Sequence, residues 1–243
     1  MSKIFLFGSP NFFNWQTHLY LLMPHFAHHS EENYLKTLFK LSNKEVKKVN
    51  NVALSKELGL NPATVLEMVR KLSQKNLVQL APDKTIQLTE KGKKRALLTI
   101  RKHRLWEVFL VDKLQYQWNE VHDLAEQLEH IESTDMIDRL EAFLGYPAFD
   151  PHGDPIPDKN GKLKPNASVP LSSGQKGKSY IVINLAETAN QFLNYLSKLN
   201  IKPGTKIKIS DVNEYDASIS VTISKKELQL TDKVARNILV QPA

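Results

Sequence analysis

A chain of 243 residues, 41% hydrophobic and 24% charged, has enough apolar side chain to bury one large core or two to three small ones, which excludes a wholly disordered or fibrous protein. Thirty-three Lys and Arg against 26 Asp and Glu leave a formal charge of +7, a balance that favours a polyanionic partner without identifying one. The absence of cysteine excludes disulfides, thiolate catalysis and thiolate metal sites, so any metal must be held by oxygen and nitrogen, with the harder divalent ions, manganese and ferrous iron, first in line.

Residues 1–29 are rich in aromatics and almost free of acid. Gly8, Pro10 and Asn11 interrupt the apolar start at once, unlike a signal peptide, and no apolar run reaches the roughly 18 residues of a membrane span. The segment is predicted to be a loosely ordered extension, with His25, His28 and His29 in a floppy tract. From Ser30 the pattern becomes regular: Ser30 caps SEENYLKTLFKLS, acids fill its first turn, and Tyr34, Leu38 and Leu41 form one stripe. VALSKELGL gives a second helix that stops at Gly59. Asn61 and Pro62 then supply the cap and first position of a third, PATVLEMVRKLSQKN. Its spacing buries Val65, Met68, Val69 and Leu72 and turns Thr64, Glu67, Arg70 and Lys71 outward.

LVQLAPDKTIQLT alternates like a two-strand hairpin with Pro82-Asp83-Lys84 at its tip. Helix, tight turn, helix and hairpin is the order of a winged helix-turn-helix, in which the second helix of the pair enters the major groove and the hairpin tip lies along the backbone. Asn61, Ala63, Thr64 and Glu67 are the candidates for base contacts, and Arg70, Lys71 and Lys84 for phosphates. The competing reading is a helical protein-interaction domain. The polar first turn of the third helix and the basic run Lys91, Lys93, Lys94 and Arg95 weigh against it.

Thr89 is predicted to cap a helix running to about Lys113, Asn119 to cap the next, and Ser133 or Thr134 to cap another that stops at Gly145. Their surplus of apolar residues, Leu97, Leu98, Leu105, Phe109, Ile131, Ile137, Leu140 and Phe143, fits a helical dimer interface. His103 and Glu107 stand i, i+4 apart. His122, Glu126, Glu129 and His130 follow at steps of four, three and one, so each set falls on one helical face. Glu126, Glu129 and His130 alone are what a solvated helix also carries. Two such faces turned toward each other would bring carboxylates and imidazoles to the roughly 2.0–2.3 Å that a divalent ion requires. From Ala148 to about Lys178 the chain, rich in Pro, Gly, Lys and Asp, reads as a linker that starts with HGDPIP. SYIVINLA, TKIKISDVN, SISVTIS, KELQLT and NILVQ then alternate as short strands, with TANQFLNYLSKLN helical between the first two, the pattern of a small partly open barrel.

RKHRLWEVFL, NEVHDLAEQLEHIES and DPHGDPIP, following a winged helix, resemble the diphtheria toxin repressor and manganese transport regulator family of metal-dependent repressors, over roughly Ser30 to the carboxyl end. The resemblance implies a mainly α fold with small β parts. Its divisions would be an extension (1–29), a winged helix-turn-helix DNA-binding domain (30–95), a helical metal-binding and dimerisation domain (96–149), a linker (150–178) and an SH3-like, FeoA-type β-barrel (179–243).

In that family Glu126, Glu129 and His130 match the primary metal motif, and His103, Glu107 and His122 the ancillary one. Glu126 stands where iron-selective relatives have Cys, so the chain is similar to the manganese type. Glu187 and Gln191 lie near the stretch of the barrel that supplies an acid and a Gln to the ancillary metal, at a spacing one residue too long. The first-helix positions that supply Asp, Met or Glu are Asn33 and Lys36 here. Asn33 can offer a carbonyl oxygen, whereas a protonated Lys36 would pair with a site carboxylate, which is at odds with the dinuclear site of the smaller relatives.

What the resemblance implies is a cytoplasmic homodimer, not an enzyme, that represses metal-uptake genes. It would bind a palindromic operator in double-stranded DNA with Mn2+ or Fe2+, manganese preferred, as corepressor, and engage neither a membrane nor a small-molecule substrate. Two rivals use the same residues. A metallohydrolase built on the His/Glu cluster is weakened by the lack of His-Glu-x-x-His and of a separate nucleophile. A DNA-binding protein with purely structural metal is the other.

Overall fold

The segments that carry helical periodicity and local capping signals become the helices of two units, which divide after Thr89 in a computed structural model describing residues 31–43, 48–164 and 167–243. The expected extension over 1–29 and the Ser30 cap lie outside the described residues.

In the first unit, α1 (31–43) buries Tyr34, Leu35, Leu38, Phe39 and Leu41. Helix α2 (Asn51–Leu58) begins where the Asn50 side chain accepts the Ala53 N–H at 3.0 Å. It ends at Gly59, whose φ of +65° is the left-handed conformation that a glycine adopts without a Cβ penalty. Three residues on, the Asn61 side chain accepts the Ala63 N–H at 2.8 Å and starts α3 (Pro62–Gln74). Val65, Val69 and Leu72 of α3 are buried, and Met68 is half-buried. The hairpin is β1 (Val78–Leu80) paired antiparallel with β2 (Ile86–Leu88), Val78 opposite Leu88 and Leu80 opposite Ile86. Its tip is held by the Asp83 carboxylate, which accepts the Thr85 N–H at 3.1 Å and pairs with Lys48 at 2.7 Å.

The second unit starts with α4 (Glu90–Asp112), followed by α5 (His122–Leu128) and α6 (Thr134–Phe143). Ser133 caps α6 by accepting the Met136 N–H at 3.2 Å. Asn119 does not cap α5: that helix begins behind Val121 without a side-chain cap, and the Asn119 amide donates instead to the Asn194 side chain. Leu105, Val108, Ile137 and Ile156 form a small core, with Trp106, Met136, Leu140 and Leu144 packed on it. Arg101 ties α4 to α6 through hydrogen-bonded ion pairs to Asp138 and Glu141, both 2.7 Å.

The remainder is a six-stranded antiparallel sheet in the order β3 (Val169–Pro170), β8 (Ile238–Pro242), β4 (Ser179–Leu185), β5 (Lys206–Val212), β6 (Ile219–Ile223), β7 (Lys226–Leu230). Register shifts at Val182/Asn184 and Ile209/Asp211 bend it, as bulges do. It wraps a core that includes Val182, Ile207, Ile209, Val221 and Val240, closed by Leu193 and Leu196 of α7 (Asn190–Lys198) and Ala235 of α8 (Asp232–Asn237). These strands fall where the alternating segments place them, and the short β3 and α8 are additions. Trp118 packs on this core and donates its Nε1–H to Ser197 at 3.0 Å. No helix among the described residues is long and apolar enough to cross a membrane.

Candidate metal centre and nucleic-acid interface

Helix α4 carries His103 and Glu107 one turn apart, and both are buried. Helix α5 packs against it with His122 at its first position and Glu126 a turn later. The helix stops at Leu128, so Glu129 and His130 lie just past its end and not on a continuous helical face, as their spacing suggests. Glu129 nevertheless keeps helical backbone angles and donates its N–H to Ala125 O at 2.8 Å, which carries its side chain into a fully buried position. There its Oε2 lies 2.6 Å from His103 Nδ1. The other nitrogen of the same ring, Nε2, lies 3.0 Å from Glu107 Oε1 and 3.2 Å from His122 Nδ1. Glu126 Oε1 is 3.6 Å from His122 Nε2 and 3.9 Å from His103 Nδ1, and His130 Nε2 is 3.8 Å from Glu129 Oε1. Two ligand groups thus converge, His103, Glu107 and His122 in one and His103, Glu126 and Glu129 in the other, and His103 belongs to both.

A third convergence, Glu107 with Asp150 and His152, escapes sequence reasoning. His152 Nδ1 lies 3.5 Å from Glu107 Oε2 while its Nε2–H donates to the Trp118 carbonyl at 2.8 Å. HGDPIP, read as the start of a linker, is a buried turn: Asp150 Oδ1 accepts the N–H groups of His152 and Asp154 at 2.8 and 3.0 Å. Gly153, at φ +87°, sits so close to the sheet that a Cβ would lie 1.8 Å from Ile183 O, a position only glycine can take. Arg104, the neighbour of His103, clamps the turn. Its Nε is 3.4 Å from Asp150 and one terminal nitrogen 3.1 Å from Asp154, and the other terminal nitrogen donates to Pro155 O.

Burial and charge pull these groups apart. Burial raises the Glu107 carboxyl, but the charge of His103 and hydrogen bonds from His103, His122 and His152 outweigh it and hold the group well below the usual carboxylate range. Burial, reinforced by Glu107 and Asp154, pushes Asp150 up to about 7 against the opposing charges of Arg104 and His152. His152 is pushed down by burial yet rises to about 9 through its hydrogen bond to Glu107 and the charges of Glu107 and Asp150. Buried carboxylates and imidazoles at such density require compensating charge, and a divalent cation supplies it. His152, with its second nitrogen fixed on a backbone carbonyl, has the arrangement that orients metal-ligating histidines.

The other expected ligands lie elsewhere. Asn33, half-buried on α1, has a side-chain oxygen shielded from solvent without a hydrogen-bond partner, an acceptor suited to a cation, and Lys36 on the same helix is buried. Glu187 and Gln191 belong to none of the three convergences found among the described residues. They line a cavity of about 330 Å3 with Phe192, Tyr195 and Asn237, and Glu187 accepts from the Asn237 amide at 3.3 Å.

On α3 the face opposite the buried valines presents Ala63, Thr64, Glu67, Arg70 and Lys71, all exposed, with Glu67 and Lys71 paired at 3.1 Å. The Asn61 oxygen is engaged in capping, which leaves its amide nitrogen for other contacts. Lys84 is exposed at the hairpin tip, at φ +64°.

Residues 28–86 match the N-terminal DNA-binding domain of iron-dependent repressors, residues 89–158 the metal-binding and dimerisation domain, and residues 169–242 the FeoA domain. A manganese-dependent transcriptional repressor solved in complex with manganese superposes with a TM-score of 0.80, at 32% identity over 88% of this chain and 100% of that one. The chain belongs to the diphtheria toxin repressor family of metal-dependent repressors. Within the diphtheria toxin repressor family, the Corynebacterium diphtheriae diphtheria toxin repressor itself is 28% identical over 220 residues, 86% of this chain and 96% of that protein. The iron-dependent repressor IdeR of Mycobacterium tuberculosis (strain H37Rv) is 36% identical over 126 residues, 52% of this chain, so the match spans about half (54%) of that repressor.

Proposed function

We propose that the protein is a metal-dependent transcriptional repressor, a homodimer that binds a palindromic operator in double-stranded DNA when Mn2+ or Fe2+ occupies its sites, and that it represses metal-uptake genes in the cytoplasm. The observation that carries this reading is the pairing, in one chain, of an exposed polar α3 face beside a winged hairpin with a buried knot of imidazoles and carboxylates on α4 and α5. Glu126, Glu129 and His130 would form the regulatory set, and His103, Glu107 and His122 the ancillary one, joined by His152. Asn33 is a further candidate. The donors are carboxylates and imidazoles without sulfur, which suits manganese and ferrous iron, and manganese is preferred.

When bound, the cation supplies positive charge that the buried carboxylates lack. The protein's own part is to hold Glu107 and Glu129 ionised and oriented, and so to fix how α4 and α5 pack. Exposed Leu114, Phe143, Tyr146 and Phe149, on and around α6, support an apolar surface for the second protomer. Dimerisation would place two α3 helices in successive major-groove half-sites about one helical turn apart, Thr64, Ala63, Asn61 and Glu67 facing bases and Arg70, Lys71 and Lys84 facing phosphates. Metal then selects the DNA-competent arrangement of the dimer. Duplexes enriched from a random pool provide the test: affinity measured by fluorescence anisotropy rises at least about ten-fold with added Mn2+ and returns to its starting value with chelator. Equal affinity in both conditions would sink the mechanism.

A further inference from the structure

His103 presents each of its two ring nitrogens to a different set of ligands. Nε2 faces Glu107 Oε1 at 3.0 Å and His122 Nδ1 at 3.2 Å, while Nδ1 faces Glu129 Oε2 at 2.6 Å. The ring is 7% exposed and lies edge-on to His122, centroids 4.9 Å apart, so neighbours on both sides fix its plane. A neutral imidazole has one lone pair and one N–H, on opposite nitrogens. The nitrogen that gives its lone pair to a cation therefore decides what the other can do. If Nε2 is given to a cation shared with Glu107 and His122, Nδ1 keeps its proton, and that N–H points at Glu129. If Nδ1 is given to a cation shared with Glu126 and Glu129, Nε2 carries the proton and cannot serve the first set. One ring cannot serve both sets as a ligand, so the two sites are coupled, and the sign depends on which nitrogen is used.

We propose that His103 is the coupling element between the two metal sites: Nε2 belongs to the ancillary set, and the Nδ1–H so fixed holds the Glu129 carboxylate in place to complete the regulatory set with Glu126 and His130. The inference rests on the metal-ligand reading given above and adds to it a residue, a sign and an order. Geometry favours this choice. Nε2 already has two ligand groups within 3.2 Å, whereas Nδ1 has one close oxygen, at 2.6 Å, the spacing of a strong hydrogen bond to a carboxylate. Glu126, the other member of that set, stands off at 3.9 Å. Filling the ancillary site thus strengthens the regulatory site, and linkage requires the converse.

The test is a Mn2+ titration of the full chain, with free Mn2+ counted by its EPR signal and heats measured in parallel. Two variants are compared with the parent, His122→Ala to remove an ancillary ligand and Glu126→Ala to remove a regulatory one. His122 is partly exposed, and His122→Gln with circular dichroism guards against loss of fold. The parent is expected to bind two Mn2+ per chain with a Hill coefficient above one. His122→Ala is expected to bind one, at least about five-fold more weakly than the parent's regulatory site, the lower end of ordinary coupling energies. An unchanged regulatory affinity in His122→Ala would overturn the coupling, and a tighter one would show competition for the ring, also overturning it. A parent chain that takes up no Mn2+ would instead refute the metal reading itself. In the Zn2+-loaded protein, labelled in its histidines with 15N, the proton of His103 is expected on Nδ1. A metal-shifted Nδ1 with the proton on Nε2 would overturn the assignment.

Discussion

Replacing Arg104 by alanine removes three contacts at once, to Asp150 at 3.4 Å, to Asp154 at 3.1 Å and to the Pro155 carbonyl. Breaking a buried ion pair by deleting one partner typically costs about 3–5 kcal/mol because the other charge is left uncompensated. Two features reduce that here. The Arg104 side chain retains 16% exposure, and the Asp150 carboxyl, already raised to about 7, can take up a proton near neutrality instead of remaining a bare charge. The expected loss is therefore about 2–3 kcal/mol for the second unit. In a unit of this size that lowers Tm by roughly 5–10 °C.

The assay is thermal unfolding of the chelated protein in a Trp15→Phe background, so that fluorescence reports Trp106 and Trp118, both in the second unit. The same change releases the turn that holds His152 against Glu107, and Mn2+ affinity at the Glu107 set falls about ten-fold, as for loss of an orienting partner. Arg104→Lys, which keeps the charge without the fork, gives an intermediate result. A Tm within about 1 °C of the parent together with unchanged Mn2+ affinity would refute the claim that this arginine builds the site.

Ile137→Ala, at a position 1% exposed between α4 and α6, leaves a cavity beside Leu105, Val108 and Ile156 and is expected to destabilise the second unit by about 2–4 kcal/mol in the same unfolding assay. Arg70→Ala is expected to weaken binding to all duplexes alike and to reduce the slope of log K against log salt by about 0.9, measured by anisotropy over a salt series. Thr64→Ala leaves the salt slope unchanged and alters the base preference recovered from a random pool. Asn50→Ala, which removes the acceptor at the start of α2, costs the first unit about 1 kcal/mol, read from amide exchange within α2.

What was legible in the sequence is what local chemistry decides. Asn50, Gly59, Asn61-Pro62 and Ser133 act on backbone groups a few residues away, so they mark helix ends whatever surrounds them. Asn119 carries the same local signal and fails because its amide finds Asn194, 75 positions later, in the folded unit. Helical spacing brings Glu126 and His122 to one side of α5, but it presumes that the helix continues. Glu129 reaches His103 from beyond the helix end only because its backbone keeps the helical turn. Spacing also assigns faces and not atoms, so it divides the histidines and glutamates into two sets and misses that one imidazole touches both. His152 has no periodic relation to any ligand. It arrives through a turn fixed by Asp150, by Gly153 against Ile183 O, and by Arg104, contacts that span up to about fifty positions and exist only after the fold forms.

The central claim, that metal occupancy and DNA binding are two faces of one equilibrium, is tested most directly by the Mn2+ affinity of the full chain measured with and without a saturating enriched duplex. Linkage predicts that the duplex tightens Mn2+ binding by the same factor that Mn2+ tightens binding of the duplex, within the roughly 5- to 150-fold range of ordinary allosteric coupling. A Mn2+ affinity identical in the presence and absence of bound DNA would contradict the account.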